Sequence, residues 1–437
     1  MTMRKIILVY ACILMAAGSF SQQGNPDTSS FPYWIGMMQD PKANFFETQK
    51  AFEMYWNNRE RDKGDGWKLF KRWEYFTEQR IDESGNKPAP GQVMSEFDAY
   101  YKANFKSDQL VERDHWKETG PIYMPDNGTG QPNGLGRVNC VAFHPSNPDV
   151  IYAGAPAGGL WKTSDGGSSW DILTDTLPTL GVSSLVVDFS NPNTIYLGTG
   201  DRDSDDAPGL GVWKSTDGGL TWNPSNSGMG NRIVGKLIMN PQNNAELVAA
   251  TSGGIYKSVD NGQSWSRKSS VTSHFKDIVY KPGDPTIVYS TSNGSFFRSS
   301  NGGDTWSVVT NGLPTSNRLV IGVTPANSNY VYLVLSNQRT FKGLYQSTDS
   351  GLSFALKSSS PNILDYKADG SGTSGQAWYD LCIAVDPLNA NILYVGGINI
   401  WKSVDAGINW TLSAHWTFGP PEDDVHADQH DLVYSPV

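Results

Sequence analysis

Cysteine, histidine and positive charge are all scarce in this chain, and each shortage removes a class of protein. Three cysteines in 437 residues cannot build a dense disulfide framework. Cys12 lies in the first apolar run, leaving Cys140 in "VNCVAF" and Cys382 in "DLCIAV". The two could pair, but both sit in apolar strand-like runs, and the reading preferred is two buried free thiols. Lysine and arginine number 34 against 44 acids, a net charge of −10 with no basic stripe, which argues against nucleic acid as a partner. There is no G-x-S-x-G, no H-E-x-x-H and no phosphate-binding loop. After residue 21 no apolar run is long enough to span a bilayer, so no transmembrane segment is expected. The oligomeric state is not readable.

The start, "MTMRKIILVYACILMAAGSFSQQ", has the form of a secretory signal peptide: Arg4 and Lys5, an apolar stretch, then small residues up to Ser21. Residues 1–21 are therefore assigned to a signal peptide, 22–41 to a disordered linker and 42–119 to a helical segment. In that segment "NFFETQKAFEMYWNNRER", "GWKLFKRWEYFTEQR" and "VMSEFDAYYKANF" place aromatic residues at helical spacing. Such a stripe can stack on sugars, but packing against a neighbour is the preferred reading.

What is abundant is glycine, 45 residues, much of it in a recurring hairpin: "GGLWKTSDGGSSW", "GVWKSTDGGLTW", "GGIYKSVDNGQSW". Aligned on its acidic position, the turn recurs at Asp165, Asp217, Asp260, Asn301, Asp349 and Asp405, at intervals of 52, 43, 41, 48 and 56 residues. Each unit holds a buried strand ending near Pro ("VAFHP", "IAVDP"), a turn, a second strand ("VIYAG", "ILYVG"), a third ("GLWKT", "NIWKS") and a fourth after the hairpin. Repeats of 40–50 residues with four antiparallel strands predict an all-β propeller over residues 130–437. "HDLVYSPV" at 430–437 matches the opening strand "KDIVYKPG" at 276–283, so six blades plus the first strand of a seventh are expected. The repeated Asp is read as a brace: a short carboxylate accepts backbone N–H bonds in the turn, Gly takes the left-handed corner, and an amide at Asn301 can serve equally.

The pattern S-x-D-x-G-x-T-W resembles the Asp-box of bacterial neuraminidase repeats, found in sialidases, in sortilin-type propellers and in xyloglucan-cleaving glycoside hydrolases. Residues 136–437 resemble most the secreted bacterial members of the sortilin and glycoside-hydrolase-like group. The leader, notably "GWKLFKRWEYF", resembles that of large secreted bacterial proteins with a C-terminal sorting domain. The resemblance implies a propeller fold. For sialidase activity it implies an Arg-Ile-Pro motif, which is lacking; Arg137 stands in "GRVN". For xyloglucan cleavage it implies an acid just before the Gly-Gly of an early blade, where this chain has Ala155 and Pro156.

Long loops on the face opposite the Asp turns hold the candidate site residues. Asp201, Asp203, Asp205 and Asp206 have a D-x-D-x-D spacing that could take Ca²⁺ or another divalent cation, or could form a solvated acidic loop. Asp424, His426, Asp428 and His430 are candidates for metal or acid–base work, or for a hydrogen-bonded cluster lining the channel. Trp378, Tyr379, His415 and Trp416 are candidate ligand contacts. Two functional classes stay open. The leading one is a secreted or cell-surface module binding polysaccharide or protein. The other is a glycoside hydrolase on extracellular polysaccharide, which requires two loop carboxyls to converge, one with a raised pKa.

Overall fold

The computed structural model describes residues 33–40, 42–60, 66–88, 92–104, 128, 136–204, 207–337, 339–417 and 422–435. The expected signal peptide, residues 1–21, and the segment 105–127 fall outside the described residues.

Six antiparallel sheets follow one another along the chain, each paired in sequence order. The innermost strands are Cys140–Phe143, Val182–Val187, Val234–Asn240, Phe275–Lys281, Arg318–Val323 and Cys382–Val385, one for each of blades 1 to 6. The sixth blade gains a short fifth strand, Asp423–Asp424, paired in parallel with Thr411–His415. The fold is a six-bladed, all-β propeller.

Its core is a set of apolar layers between blades. Leu160 and Tyr152 of blade 1 pack with Val182 and Ile195 of blade 2. Tyr196 meets Val234 and Leu247, Val248 meets Phe275, Tyr289 meets Leu333, and Tyr332 meets Leu393, so each layer joins a blade to the next. A fully buried side chain of this size contributes about 1.5–3 kcal/mol, which makes the layers the main source of stability.

Between blade 6 and blade 1 the position is taken by residues 429–435. The expected first strand of a seventh blade carries no ladder pairing among the described residues. Side chains and backbone fix it instead. Gln429 N–H donates to the Gly397 carbonyl (2.8 Å), and Asp431 accepts the Val141 amide of blade 1 (3.0 Å). Asp277, at the matching position in blade 4, accepts the Ile321 amide of blade 5 in the same way (2.8 Å). Gly396 lets the segment pass: a Cβ there would lie 2.8 Å from Gln429 Cβ. Cys140 and Cys382 flank it as buried free thiols, so the disulfide alternative does not hold.

At the rim, Asp165 accepts the Ser169 amide (2.9 Å) and the Thr163 hydroxyl (2.7 Å). Asp217, Asp260, Asp349 and Asp405 repeat this geometry. Asn301 makes the same contact through Oδ1 and donates its amide to Thr305 Oγ1 (3.0 Å). The aromatic that follows reaches the preceding blade: the Trp265 indole donates to the Ser225 carbonyl (2.7 Å), and Trp222 to Leu173 (3.0 Å).

Among the described residues, four helices precede the propeller: α1 (Trp34–Gln39), α2 (Phe45–Trp56), α3 (Trp67–Glu78) and α4 (Gln92–Asn104). The first corrects the expectation of a disordered linker through residue 41, because Trp34 is fully buried at the centre of the helical core. Its ring meets Phe52 and Phe70 edge-on at 5.0 and 5.5 Å. Asn44 caps α2 by accepting the Phe46 and Glu47 amides. The aromatic stripes of α2 and α3 are therefore packing surfaces, against which Trp378 of the propeller packs, whereas Phe97 and Tyr100 of α4 are exposed.

Candidate functional site

The loop between the second and third strands of blade 2 turns inward rather than into solvent. Asp201 and Asp203 are fully buried at the mouth of the channel, which corrects both the solvated-loop and the calcium readings for these two residues. Their oxygens are engaged by cations. Arg137 pairs with Asp201 and also donates to Ser204 Oγ (2.8 Å). Asp203 accepts from Arg318 (2.8 Å), Arg202 (3.4 Å) and His430 Nδ1 (3.0 Å). These cationic partners hold the Asp203 carboxyl well below its ordinary pKa against the opposing effect of burial. Guanidinium groups occupy the lone pairs a metal would need, and among the described residues no acidic or imidazole cluster could hold a metal ion. Asp205 and Asp206 lie outside the described residues.

Arg202 acts as a strut across the axis. It donates to the carbonyls of Asn139 (2.9 Å), His430 (2.8 Å) and Gly235 (3.3 Å), tying blade 1, the C-terminal segment and blade 3. Arg318 donates to the carbonyls of Trp378 (2.8 Å) and Tyr379 (2.7 Å). None of the three arginines stands out as a strut from sequence. The available signal is position: Arg137 and Arg318 stand at or just before an innermost strand, where a long cation reaches the hub.

The His-x-Asp-x-His run does not present a common face. His426 is exposed, Asp424 lies on the fifth strand of blade 6, and His430 is buried on Asp203. Burial lowers the His430 pKa, opposed by the Asp203 carboxylate. Asp428 turns elsewhere, in the left-handed region at φ 77°. Gln376 Nε2 donates both to Asp428 Oδ1 and to Asp380 Oδ2, the latter at 3.1 Å. One amide nitrogen shared by two carboxyls keeps their oxygens within about 6 Å of each other, twice a hydrogen-bond length. Asp380 is buried, and burial followed by the charge of Asp428 raises its pKa well above the ordinary carboxylate range. Sequence reasoning missed Asp380 and Gln376, whose only signal is their place in the long loop that leads into blade 6.

The four aromatic candidates divide in two. Trp378 faces the helical core. Tyr379 sits edge-on to His430 (4.7 Å between rings) with the Arg137 guanidinium 5.0 Å from its ring centre. Burial pushes its phenol above the ordinary range. His415 is buried on Thr417, and the Trp416 indole donates to the Tyr366 carbonyl (2.8 Å). They do not form one platform.

Between the helices and the propeller lies a cavity of about 1380 Å³. Ile35, Trp73 and Arg80 line it from the helical side, and Arg232, His274, Lys276, Arg318 and Trp378 from the propeller side.

No protein-family model matches the chain. A xyloglucanase of Acetivibrio thermocellus is 26% identical over 335 residues, covering 66% of this chain and 39% of its own. A Paenibacillus xyloglucanase is 27% identical over 329 residues, covering 64% and 31%. Among solved structures, a xyloglucanase from Xanthomonas campestris superimposes with a TM-score of 0.49 at 19% identity, covering 63% of this chain and 45% of that one. The chain thus spans about two-fifths or less of the length of these curated relatives. Fold and relatives together define a xyloglucanase-like β-propeller. No helix among the described residues is long and apolar enough to cross a membrane.

Proposed function

We propose that this protein is a secreted glycoside hydrolase of the Asp-box propeller group, acting on extracellular polysaccharide through Asp380 and Asp428. The observation that carries the proposal is the Gln376-bridged carboxyl pair, with burial and the charge of Asp428 raising the Asp380 pKa. Glycoside hydrolysis needs one carboxylic acid and one carboxylate flanking the bond, about 5–5.5 Å apart when configuration is retained. Sharing the Gln376 amide keeps the Asp380 and Asp428 oxygens within about 6 Å of each other, close enough for such a pair.

Asp380, kept neutral by burial and by its charged neighbour, donates its proton to the glycosidic oxygen. Asp428 attacks the anomeric carbon as that bond breaks, giving a glycosyl ester. The Asp380 carboxylate then takes a proton from water, which attacks the same carbon and releases Asp428. Gln376 holds the pair in the resting state, and the entering glycosidic oxygen takes its place between them. Tyr379 borders the pair, with Arg137 against its ring.

The names of the curated relatives support polysaccharide as the substrate class, and the leader supports secretion. A non-catalytic binding module is the second reading. It is favoured by Ala155 and Pro156 standing where the xyloglucan-cleaving pattern has an acid.

Reducing-end release from xyloglucan and other plant and bacterial polysaccharides tests the proposal, with Asp380→Asn and Asp428→Asn measured alongside. Turnover should fall at least about a hundredfold in each variant, as expected for loss of an acid–base group. Retention of polysaccharide without any bond cleavage establishes the binding module instead.

A further inference from the structure

The chain as a whole is acidic, yet the cavity beneath the helices is not. Among the described residues, seven lysines and arginines line it, against one carboxylate, Asp40. Arg80 and Arg232 spend donors on backbone carbonyls, those of Phe76 (2.6 Å) and Met229 (2.9 Å), rather than on acids. Arg267 is exposed on the wall. In the floor, Arg318 is 8% exposed and its Nε–H has no acceptor, and the buried Nε2 of His274 also lacks a partner. A buried guanidinium N–H left unmet costs free energy that an incoming acceptor recovers.

The rest of the lining is rich in hydroxyl and amide groups: Thr272, Ser273, Thr291, Ser292, Asn293 and Asn317. Phe76, 46% exposed, adds aromatic surface. The volume exceeds that of ordinary small-molecule pockets, so the occupant is extended.

We infer that this cavity is a binding site for an anionic polysaccharide segment, a chain of polyhydroxylated rings bearing carboxylate or sulfate groups. Hydroxyls and amides meet the sugar oxygens, an aromatic face meets a ring, and the cations meet the charges. Neither Asp380 nor Asp428 lines the cavity, and the inference does not depend on that pair cleaving anything. Crowding of positive charge supports the assignment. Burial and the nearby Arg318 bring the Lys276 ammonium down to about 7, partly offset by Asp203 and Asp201, and burial with Lys276 brings His274 down to about 3. A bound anion relieves that crowding.

Isothermal titration of the full chain against oligogalacturonate, a sulfated glycan, a neutral xyloglucan oligosaccharide and poly-glutamate tests the inference. Arg267→Gln and Lys276→Met are measured in parallel, with circular dichroism to confirm folding. The anionic glycans should bind, more weakly as salt rises. Each substitution should weaken that binding about tenfold, as loss of one charge-assisted contact predicts. Whichever of the carboxylated and sulfated glycans binds identifies the anion. Binding should also take up protons near pH 7 to 8, visible as an enthalpy that changes with the buffer. The inference is overturned if neither anionic glycan binds, if neutral xyloglucan or poly-glutamate binds as tightly, or if both folded variants bind unchanged.

Discussion

Replacing Asp203 by Asn removes one negative charge while nearly preserving shape, at a position where burial is complete. Three groups are left facing a neutral amide: Arg318 at 2.8 Å, Arg202 at 3.4 Å and His430 at 3.0 Å. Breaking one side of a buried ion pair costs about 3–5 kcal/mol, because the surviving charge cannot return to water. Arg202 keeps three carbonyl acceptors and Arg318 two, but Arg318 makes the closer ion pair, so most of the cost falls on it. Against a typical net stability of about 5–15 kcal/mol, a loss of that size is large. Urea unfolding followed by tryptophan fluorescence at pH 7 measures it. Asp424→Asn, at an exposed carboxylate, should stay within about 0.5 kcal/mol of the parent. Adding Arg318→Met should recover part of the loss, with a coupling of about 1–3 kcal/mol in a double-mutant cycle. The Asp203 pKa is depressed in the folded state, so its stabilisation is fully present above about pH 4 and fades below it. The gap between parent and variant should therefore narrow in acid. A loss under about 1 kcal/mol at neutral pH, or zero coupling to Arg318, refutes the claim that this pair braces the channel mouth.

The rim carboxylates make the propeller acid-sensitive by the same sign. Hydrogen bonds from Ser169 to Asp165 and from Thr221 to Asp217 bring both pKa values down to about 2, and Asp349 and Asp405 are likewise near 2. Stability supplied by these turns is present above about pH 4 and lost between 4 and 2, so thermal midpoints should fall steeply in that window. Asp349→Ala should lower the melting temperature more than Asp349→Asn, because Asn301 already fills the same role. Trp34→Ala, which empties the centre of the helical core, should destabilise that core by about 3–5 kcal/mol. Helical circular dichroism should then melt before the strand signal. Cys140 and Cys382 should resist a thiol reagent until the protein unfolds, since both are buried and burial raises the Cys140 thiol to about 12.

The repeat was legible because everything that makes it is local. Thr163, Asp165, Gly167 and Ser169 close one turn within seven residues, so the motif and its hydrogen bonds share one short window. The innermost strands were legible for the same reason, as apolar runs ending near Pro. The site was not, because its partners are distant in the chain: Arg318 meets Asp203 across 115 residues, and His430 meets it across 227. An acidic loop such as 201–206 looks solvated or metal-binding until the arginines that reach it are known. Likewise Trp378 looked like a sugar platform until α1 to α3 supplied the surface it packs on. Asp428 stands out in the sequence by its spacing to His426 and His430, yet it is joined through Gln376 to Asp380, brought by another loop.

The distribution of charge narrows the search for chemistry. Carboxylates at the rim are saturated by hydroxyl and amide donors of their own turns, and exposed ones in the Asp423–Asp424 strand face water. Along the axis, Asp201, Asp203 and Asp277 each hold a cation, whereas burial raises the Asp431 pKa against the fields of Arg202 and Lys236 and the bond from the Val141 amide. The cations beside Asp203 and Asp277 hold both carboxyls below the ordinary range against burial, which disfavours proton delivery from either. Asp380 differs: it meets a neutral amide and a second carboxylate, so burial and like charge both act to keep its proton on. A proton donor beside an anion is the arrangement acid-assisted displacement requires, and the arginines that neutralise its neighbours are what leave this pair distinct.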